Sequence, residues 1–388
     1  MASSAKTVTD DAILYNAQAG LLGWRIAKAR LDNGVSEIIN LNVISDSIGE
    51  GKNDVNIASP TVANYLTGYV DIIRTALAAK YGNVGEGWVG NQYPIAVPAA
   101  SKRWTYTGDF VFNSGYGWMY SDNAFAKLPS SKTGTATIVF DGGINGGAGC
   151  TGFKLTCLSG SGYAGAMVTV TTDGGAPEAW TIANDNPKNI STFTKTGLEA
   201  GSHTAVVSAT TDASHTFELF GGYETMGTKG VRVNKLCVSG GKSQMVADYN
   251  SYVPGYLHTN TCCDYWTPKL AIITFLPNEY NSNVPPETFR AEMQTIITKC
   301  LLTASSIMLT SIGGIWASKA VTSTYPFPAY RQIIKELAIA NNVAYLDITK
   351  RWGVTDTRLL AAQNDEVHPS IYGHQDIANC ILKALEVV

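Results

Sequence analysis

The spacing of apolar residues changes several times along the chain, and each change marks a structural boundary. Between Thr9 and Leu31 they recur at roughly helical intervals: Ile13, Leu14, Leu21, Leu22, Trp24, Ile26 and Ala27. Asp10 or Asp11 stands near the start and Asn33-Gly34 after the end, which predicts an opening helix. EIINLNVISDS, residues 37–47, is rich in Ile and Val and too short for a typical helix. It reads as a buried strand ending at Asp46-Ser47. Helical spacing returns from Val62 to Lys80 and stops at Tyr81-Gly82-Asn83.

From Trp104 to about Lys229 the texture is different. TATIVFDG, GFKLTCLSG, AMVTVTTDGG, SHTAVVSATT and HTFELFGGYE are short β-branched and aromatic runs between Gly, Asp, Asn and Ser clusters, the pattern of an antiparallel β-sandwich. Beyond it VRVNKLCVSGG, KLAIITFLPNE, SSIMLTSIGG and VAYLDIT read as four more buried strands. Helical segments lie at 287–302 and 329–341, and a last one at 371–385. Counting the first strand, five buried strands alternate with helices, which predicts a doubly wound, five-stranded parallel sheet of α/β class. That domain is split into residues 1–98 and 231–388 by an inserted antiparallel β-sandwich at 99–230.

Composition narrows the function. A net charge of −3, with 28 Lys+Arg against 31 Asp+Glu, leaves no basic footprint for nucleic acid. No stretch approaches the ~20 apolar residues of a membrane span. MASSAKTVTDDAILYNAQAG has no basic segment followed by an apolar core, so it does not read as a secretory signal. The seven cysteines are odd in number and scattered, apart from adjacent Cys262 and Cys263. No CxxC pair suggests a zinc or redox site, and buried, mostly reduced thiols are expected. No metal or cofactor is implied.

In an open parallel sheet, reactive groups gather at the carboxyl ends of strands. Ser47 stands there within ISDSIGEG, Gly240 within CVSGG and Asn278 within FLPNEYN, while Asp365 and His368 follow the last strand within NDEVHPSIYGH. Ser, His and Asp could supply nucleophile, base and orienter. Taken alone, Ser47 could be an ordinary helix cap, His368 a loop residue before Pro369, and Asn278 a turn residue. Together these segments resemble, in order, the GDS, glycine, GxND and DxxH blocks of the SGNH (GDSL-like) hydrolases, over roughly the α/β two-thirds of the chain. The resemblance implies a flavodoxin-like sheet and a serine esterase. Ser47 would be the nucleophile, His368 the base and Asp365 its orienter. The Ser47 and Gly240 N–H groups and the Asn278 amide would form the oxyanion hole. Gly240 suits that hole because a missing Cβ allows close approach. A histidine base also predicts an acid limb in the pH–rate profile.

The sequence departs from the family pattern at Ser45, Leu276 and Glu279, which replace two glycines and an aspartate; Glu279 reads as a structural hydrogen-bond acceptor. His374, inside the last helix, reads as a packing or capping residue, and His203, His215 and His258 have no partner legible in the sequence. YGNVGEGW lacks the GK[ST] ending of a phosphate loop and follows a helix, so that reading is rejected. In the insertion, Trp104, Tyr116 and Trp118 are candidates for stacking on sugar rings, set against the alternative that such aromatics fill the sandwich core. SGNH members with β-sandwich insertions, some on bacteriophage tails, make an acylated carbohydrate the expected substrate and O-acetyl removal the expected reaction. A homo-oligomer or virion component acting at a bacterial cell surface is compatible with this. The alternatives are a lipase or general carboxylesterase, which would prefer longer acyl chains, and a glycan-binding or virion structural module with a vestigial hydrolase domain.

Overall fold

The computed structural model of the protein describes residues 5–7, 13–51, 67–85, 87–90, 104–114, 124–140, 149–185, 190–237, 240–247, 267–312, 323–352 and 368–388. Backbone contacts divide the chain into two units. The first comprises Met1–Gly82, Lys229–Tyr249 and His258–Val388, and the second Asn83–Thr228 with Asn250–Leu257.

The first unit opens with two short strands, β1 (Ala5–Thr7) and β2 (Ile13–Tyr15). Two helices follow, α1 (Ala17–Gly20) and α2 (Leu22–Asp32). The expected single helix from Thr9 is therefore corrected at its start. Asn16 adopts a left-handed φ of 53°, and Ile13–Tyr15 pairs antiparallel with a sheet edge. In so short a segment, apolar residues at helical spacing serve an edge strand equally well. The next strand, β3 (Ile38–Ser45), is buried along most of its length, as its mostly apolar run, interrupted by Asn40 and Asn42, leads one to expect.

The second unit is antiparallel throughout. One five-stranded sheet runs in the order β11 (Glu178–Ala179), β10 (Met167–Thr172), β13 (His203–Thr210), β8 (Thr133–Phe140) and β5 (Trp104–Gly108). A six-stranded sheet joins β12 (Ile190–Gly201), β9 (Cys150–Leu158), β14 (Phe217–Thr225), β7 (Ala124–Leu128) and β6 (Val111–Ser114), with β4 (Trp88–Gly90) also on β14. Alternate residues turn inward: Phe140 of one sheet stacks on Phe153 of the other, ring centroids 4.7 Å apart. His203, partnerless in the sequence, pairs its Nδ1 with Asp173 at 2.7 Å.

The chain re-enters the first unit at β15 (Gly230–Cys237) and adds β16 (Leu270–Thr274), β17 (Ile307–Ser311) and β18 (Ala344–Asp347). The sheet order is β1-β2-β18-β17-β16-β3-β15. The five strands from β18 to β15 are mutually parallel, and β2 and β1 extend the β18 edge antiparallel. The sheet is thus mixed and seven-stranded rather than five-stranded and wholly parallel, because the N-terminal segment became strand. Between β15 and β3 the buried Asn234 side chain donates to that of its register partner Asn42 at 2.8 Å, so the Asn42 oxygen is satisfied inside the sheet.

The helices follow from apolar periodicity. They are α4 (Tyr69–Tyr81), α5 (Ser243–Ala247), α6 (Pro277–Asn281), α7 (Pro286–Cys300), α8 (Phe327–Ala340), α9 (Thr349–Trp352) and α10 (Ile371–Ala384), after the short α3 (Ser47–Glu50). On one face of the sheet Trp24, Tyr69, Ile73, Leu77, Ile377 and Ile381 form a single cluster with Leu41, Val43 and Met308. Helix α8 packs on β17 and β18, with α7 beside it. Cys150, Cys157, Cys237 and Cys380 are buried thiols outside any disulfide. Cys300 is disulfide-bonded, the one exception among the described cysteines to the mostly reduced thiols expected.

Candidate active site

At the carboxyl end of β3 the chain passes from strand to helix within one residue. Asp46 is extended (φ −96°, ψ −154°), and its Oδ1 accepts the Ile48 N–H at 2.9 Å, capping α3. This places Ser47 on the first turn, buried to 4% exposure. Helix α3 lies tight against the strands beneath it. A Cβ on Gly49 would fall 2.5 Å from Ser45 Cβ and 2.6 Å from Cys237 Sγ. Gly49→Ala should therefore lift α3 off the sheet, lowering stability by about 1–3 kcal/mol and reducing turnover. Denaturant midpoints and esterase assays on the same preparation check both effects.

His368 reaches the same point from the far end of the chain. Two residues later Ser370 caps α10, its Oγ accepting the Gly373 N–H at 3.2 Å. Within α10, buried His374 accepts the Tyr69 N–H on Nδ1 at 3.2 Å and stacks on the Tyr69 ring. That contact ties α10 to α4 and matches the packing role read from the sequence. With α10 so anchored, His368 Nε2 lies 2.7 Å from Ser47 Oγ, across 321 positions of chain. With the ring neutral and its proton on Nδ1, the hydroxyl donates to Nε2, the geometry in which imidazole can take the serine proton.

Asn278 enters from the end of β16. Pro277 starts α6, and Asn278 Nδ2 donates to the Gly241 carbonyl at 2.9 Å while lying 3.4 Å from Asp46 Oδ2. Gly240 occupies an exposed turn at φ +72°, with no atom within 4 Å of where its Cβ would be. Its left-handed backbone is one that glycine adopts without the strain a Cβ would bring. The structure thus brings together Ser47, His368, Asn278 and the Gly240–Gly241 turn. Asp365 lies outside the described residues, as do Tyr116 and Trp118. Trp104, a candidate sugar-stacking residue, is instead buried in β5 with its ring stacked on Tyr106. It faces inward by strand alternation, so its flat face is covered.

Two carboxyl groups are buried here, Asp46 next to Ser47 and Glu279 next to Asn278. Burial pushes Asp46 up to about 6, against the pull of the Ile48 N–H and of His368. Burial also pushes Glu279 up to about 7; its Oε1 accepts the Ser243 N–H at 2.6 Å, which opposes the shift, and Asp46 nearby adds to it. A carboxyl whose pKa is higher in the folded than in the unfolded chain stabilises the fold fully below the unfolded value. That contribution is lost as pH rises through the folded value. For Glu279 the window runs from its ordinary 4.5 to about 7. The stability difference between Glu279→Gln and the native protein should therefore shift in favour of the variant by about 3 kcal/mol across it. Denaturant titrations at pH 4.5 and 7.5 measure this.

The roles of Asp46 and Ser370 as caps escaped the sequence reading, although an Asp or Ser immediately before a helix is a recognisable start signal. Among the described residues, no three His, Cys, Asp or Glu side chains could jointly hold a metal ion, and no helix is long and apolar enough to cross a membrane.

No protein-family model matches the chain, and no curated protein matches it. Among solved structures, a peptidoglycan O-acetylesterase matches with a TM-score of 0.67 and 15% identity, over 95% of this chain and 96% of that one. A family two carbohydrate esterase from Clostridium thermocellum matches with a TM-score of 0.31 and 15% identity, over 72% of this chain and 96% of that one. One from Cellvibrio japonicus matches with a TM-score of 0.31 and 11% identity, over 73% and 99%. The first likeness spans nearly all of both chains and establishes a shared fold.

Proposed function

We propose that the protein is a serine esterase that hydrolyses O-acyl esters, foremost O-acetyl esters, on a polysaccharide or other glycan. The observation that carries the proposal is the 2.7 Å contact between Ser47 Oγ and His368 Nε2 at the carboxyl end of the sheet. A serine hydroxyl is a weak nucleophile until a base takes its proton, and a neutral imidazole at hydrogen-bond distance is such a base. Ser47 Oγ attacks the acetyl carbonyl as its proton passes to His368. The tetrahedral intermediate then collapses, and the glycan hydroxyl leaves with that proton. Water, deprotonated by His368, attacks the acetyl-enzyme and releases acetate and free Ser47. Asp365, three residues before His368, would hold the ring with its proton on Nδ1.

Negative charge appears on the carbonyl oxygen only as the intermediate forms, so preorganised donors aimed there lower the barrier. The Ser47 N–H, the Gly240 N–H and the Asn278 amide are the donors assigned. Five consecutive parallel strands in the order β15-β3-β16-β17-β18 support a flavodoxin-like SGNH hydrolase domain. The two antiparallel sheets of the second unit support a sandwich insertion as a glycan-facing module. The choice of a glycan ester is drawn from the peptidoglycan O-acetylesterase that shares the fold.

The test is acetate release from an O-acetylated polysaccharide, alongside p-nitrophenyl acetate and butyrate. Acetate release that disappears in Ser47→Ala, with acetate preferred to butyrate, supports the reading. Polysaccharide binding without acetate release, unaltered in Ser47→Ala, overturns it.

A further inference from the structure

Glu279 follows Asn278 in α6, has no part in acyl transfer as written above, and is wholly buried. Its Oε1 accepts the backbone N–H of Ser243 at 2.6 Å. Ser243 is itself buried, and its hydroxyl donates to Glu292 Oε2 on α7 at 2.6 Å. One residue earlier, Asn278 Nδ2 donates to the Gly241 carbonyl at 2.9 Å. Two adjacent side chains of one short helix therefore grip a single stretch of backbone, one at a carbonyl and the other at an amide. Gly240 comes immediately before that stretch. It has no side chain to anchor it, its turn is exposed, and its φ of +72° is one that many competing conformations of glycine would replace. Its N–H belongs to the peptide that joins it to residue 239, and where that group sits relative to Asn278 depends on how the backbone from 241 to 243 is held.

We infer that Glu279 is a positioning residue for the oxyanion hole: through the Ser243 N–H it holds residues 240–243 so that the Gly240 N–H and the Asn278 amide converge on one oxygen. This rests on the esterase reading and extends it to a residue outside the reacting set. The site then has two layers, in which Asn278 both donates to the substrate oxygen and grips the turn, while Glu279 grips only the turn. A misplacement of about 1 Å in such a donor can cost ~10²-fold in rate, so the second grip has a measurable consequence.

The experiment compares the native protein with Glu279→Ala, Glu279→Gln, Ser243→Pro and Ser243→Ala on p-nitrophenyl acetate, with thermal melts of each. Glu279→Ala removes the acceptor and should lower kcat by about 10²-fold with KM within about threefold. Glu279→Gln keeps a carbonyl oxygen to accept the Ser243 N–H and should recover at least about tenfold of that loss. Ser243→Pro deletes the N–H at the first position of α5 but also the hydroxyl bonded to Glu292, so it is read against Ser243→Ala, which loses the hydroxyl alone. Ser243→Pro should reproduce the loss, and adding it to Glu279→Ala should not deepen it. A kcat for Glu279→Ala within about twofold of native overturns the inference. So does a folded Glu279→Gln as slow as Glu279→Ala, or a Ser243→Pro variant at native kcat. If Glu279→Ala does not fold, the Glu279→Gln and Ser243→Pro results decide. Ser47→Ala separates the two levels: if it retains turnover, the esterase reading itself falls. If it is inactive while Glu279→Ala turns over normally, only the positioning role falls.

Discussion

His368→Ala is expected to lower kcat for O-acetyl ester hydrolysis by on the order of 10⁶, the loss a serine hydrolase shows when either member of its Ser–His pair is removed. The reason is the single 2.7 Å contact: without the ring, no described group stands at hydrogen-bond distance to take the Ser47 proton. KM should change little, because the imidazole acts on charge that develops during reaction rather than on ground-state binding. Ser47→Ala should fall as far, and the double variant no further, since the two residues act as one unit. A stopped assay sensitive enough to see residual turnover, run on all three variants, measures both the magnitude and the non-additivity. An additive double variant would mean that the two residues work separately.

The second large effect belongs to Asn278. Asn278→Ala is expected to lower kcat by about 10²–10³, the range for one lost oxyanion donor. The same substitution frees the Gly241 carbonyl, now bonded at 2.9 Å, so part of the loss reflects a looser turn. Asn278→Asp distinguishes the two: it keeps the size but removes both N–H donors and adds negative charge beside the developing oxyanion and Asp46. It should be at least as slow as the alanine variant. Steady-state kinetics of both variants check this ordering, and an aspartate variant near native rate would remove Asn278 from the oxyanion hole.

Much of the first unit was legible because its central strands are buried on both faces. A strand covered on both sides is mostly apolar, so 37–47, 269–276 and 343–349 announce themselves, and Ser47 and Asn278 stand where the first two of those runs stop. The longer helices were legible from their single apolar stripe, to within two residues at either end for α7, α8 and α10. The opening segment misled because Ile13, Leu14 and Tyr15 are apolar for another reason: they close the edge of the sheet against Tyr345 and Leu346. In the second unit, Trp104 could be read as surface or core from its neighbours, and only strand pairing decides. Contacts made by backbone groups were illegible. Glu279 read correctly as an acceptor, yet its donor is an amide 36 residues away that carries no signature of residue type. His203 likewise finds Asp173 only because β10 and β13 are paired neighbours.

The most direct measurement of the central claim is covalent. A fluorophosphonate reacts with a serine only when a neighbouring base has activated it, and the adduct can be located by peptide mass spectrometry. One adduct per chain is expected, carried on Ser47, with a labelling rate that collapses in His368→Ala. A native protein that acquires no adduct, an adduct on another serine, or a Ser47 that labels equally fast without His368 would contradict it.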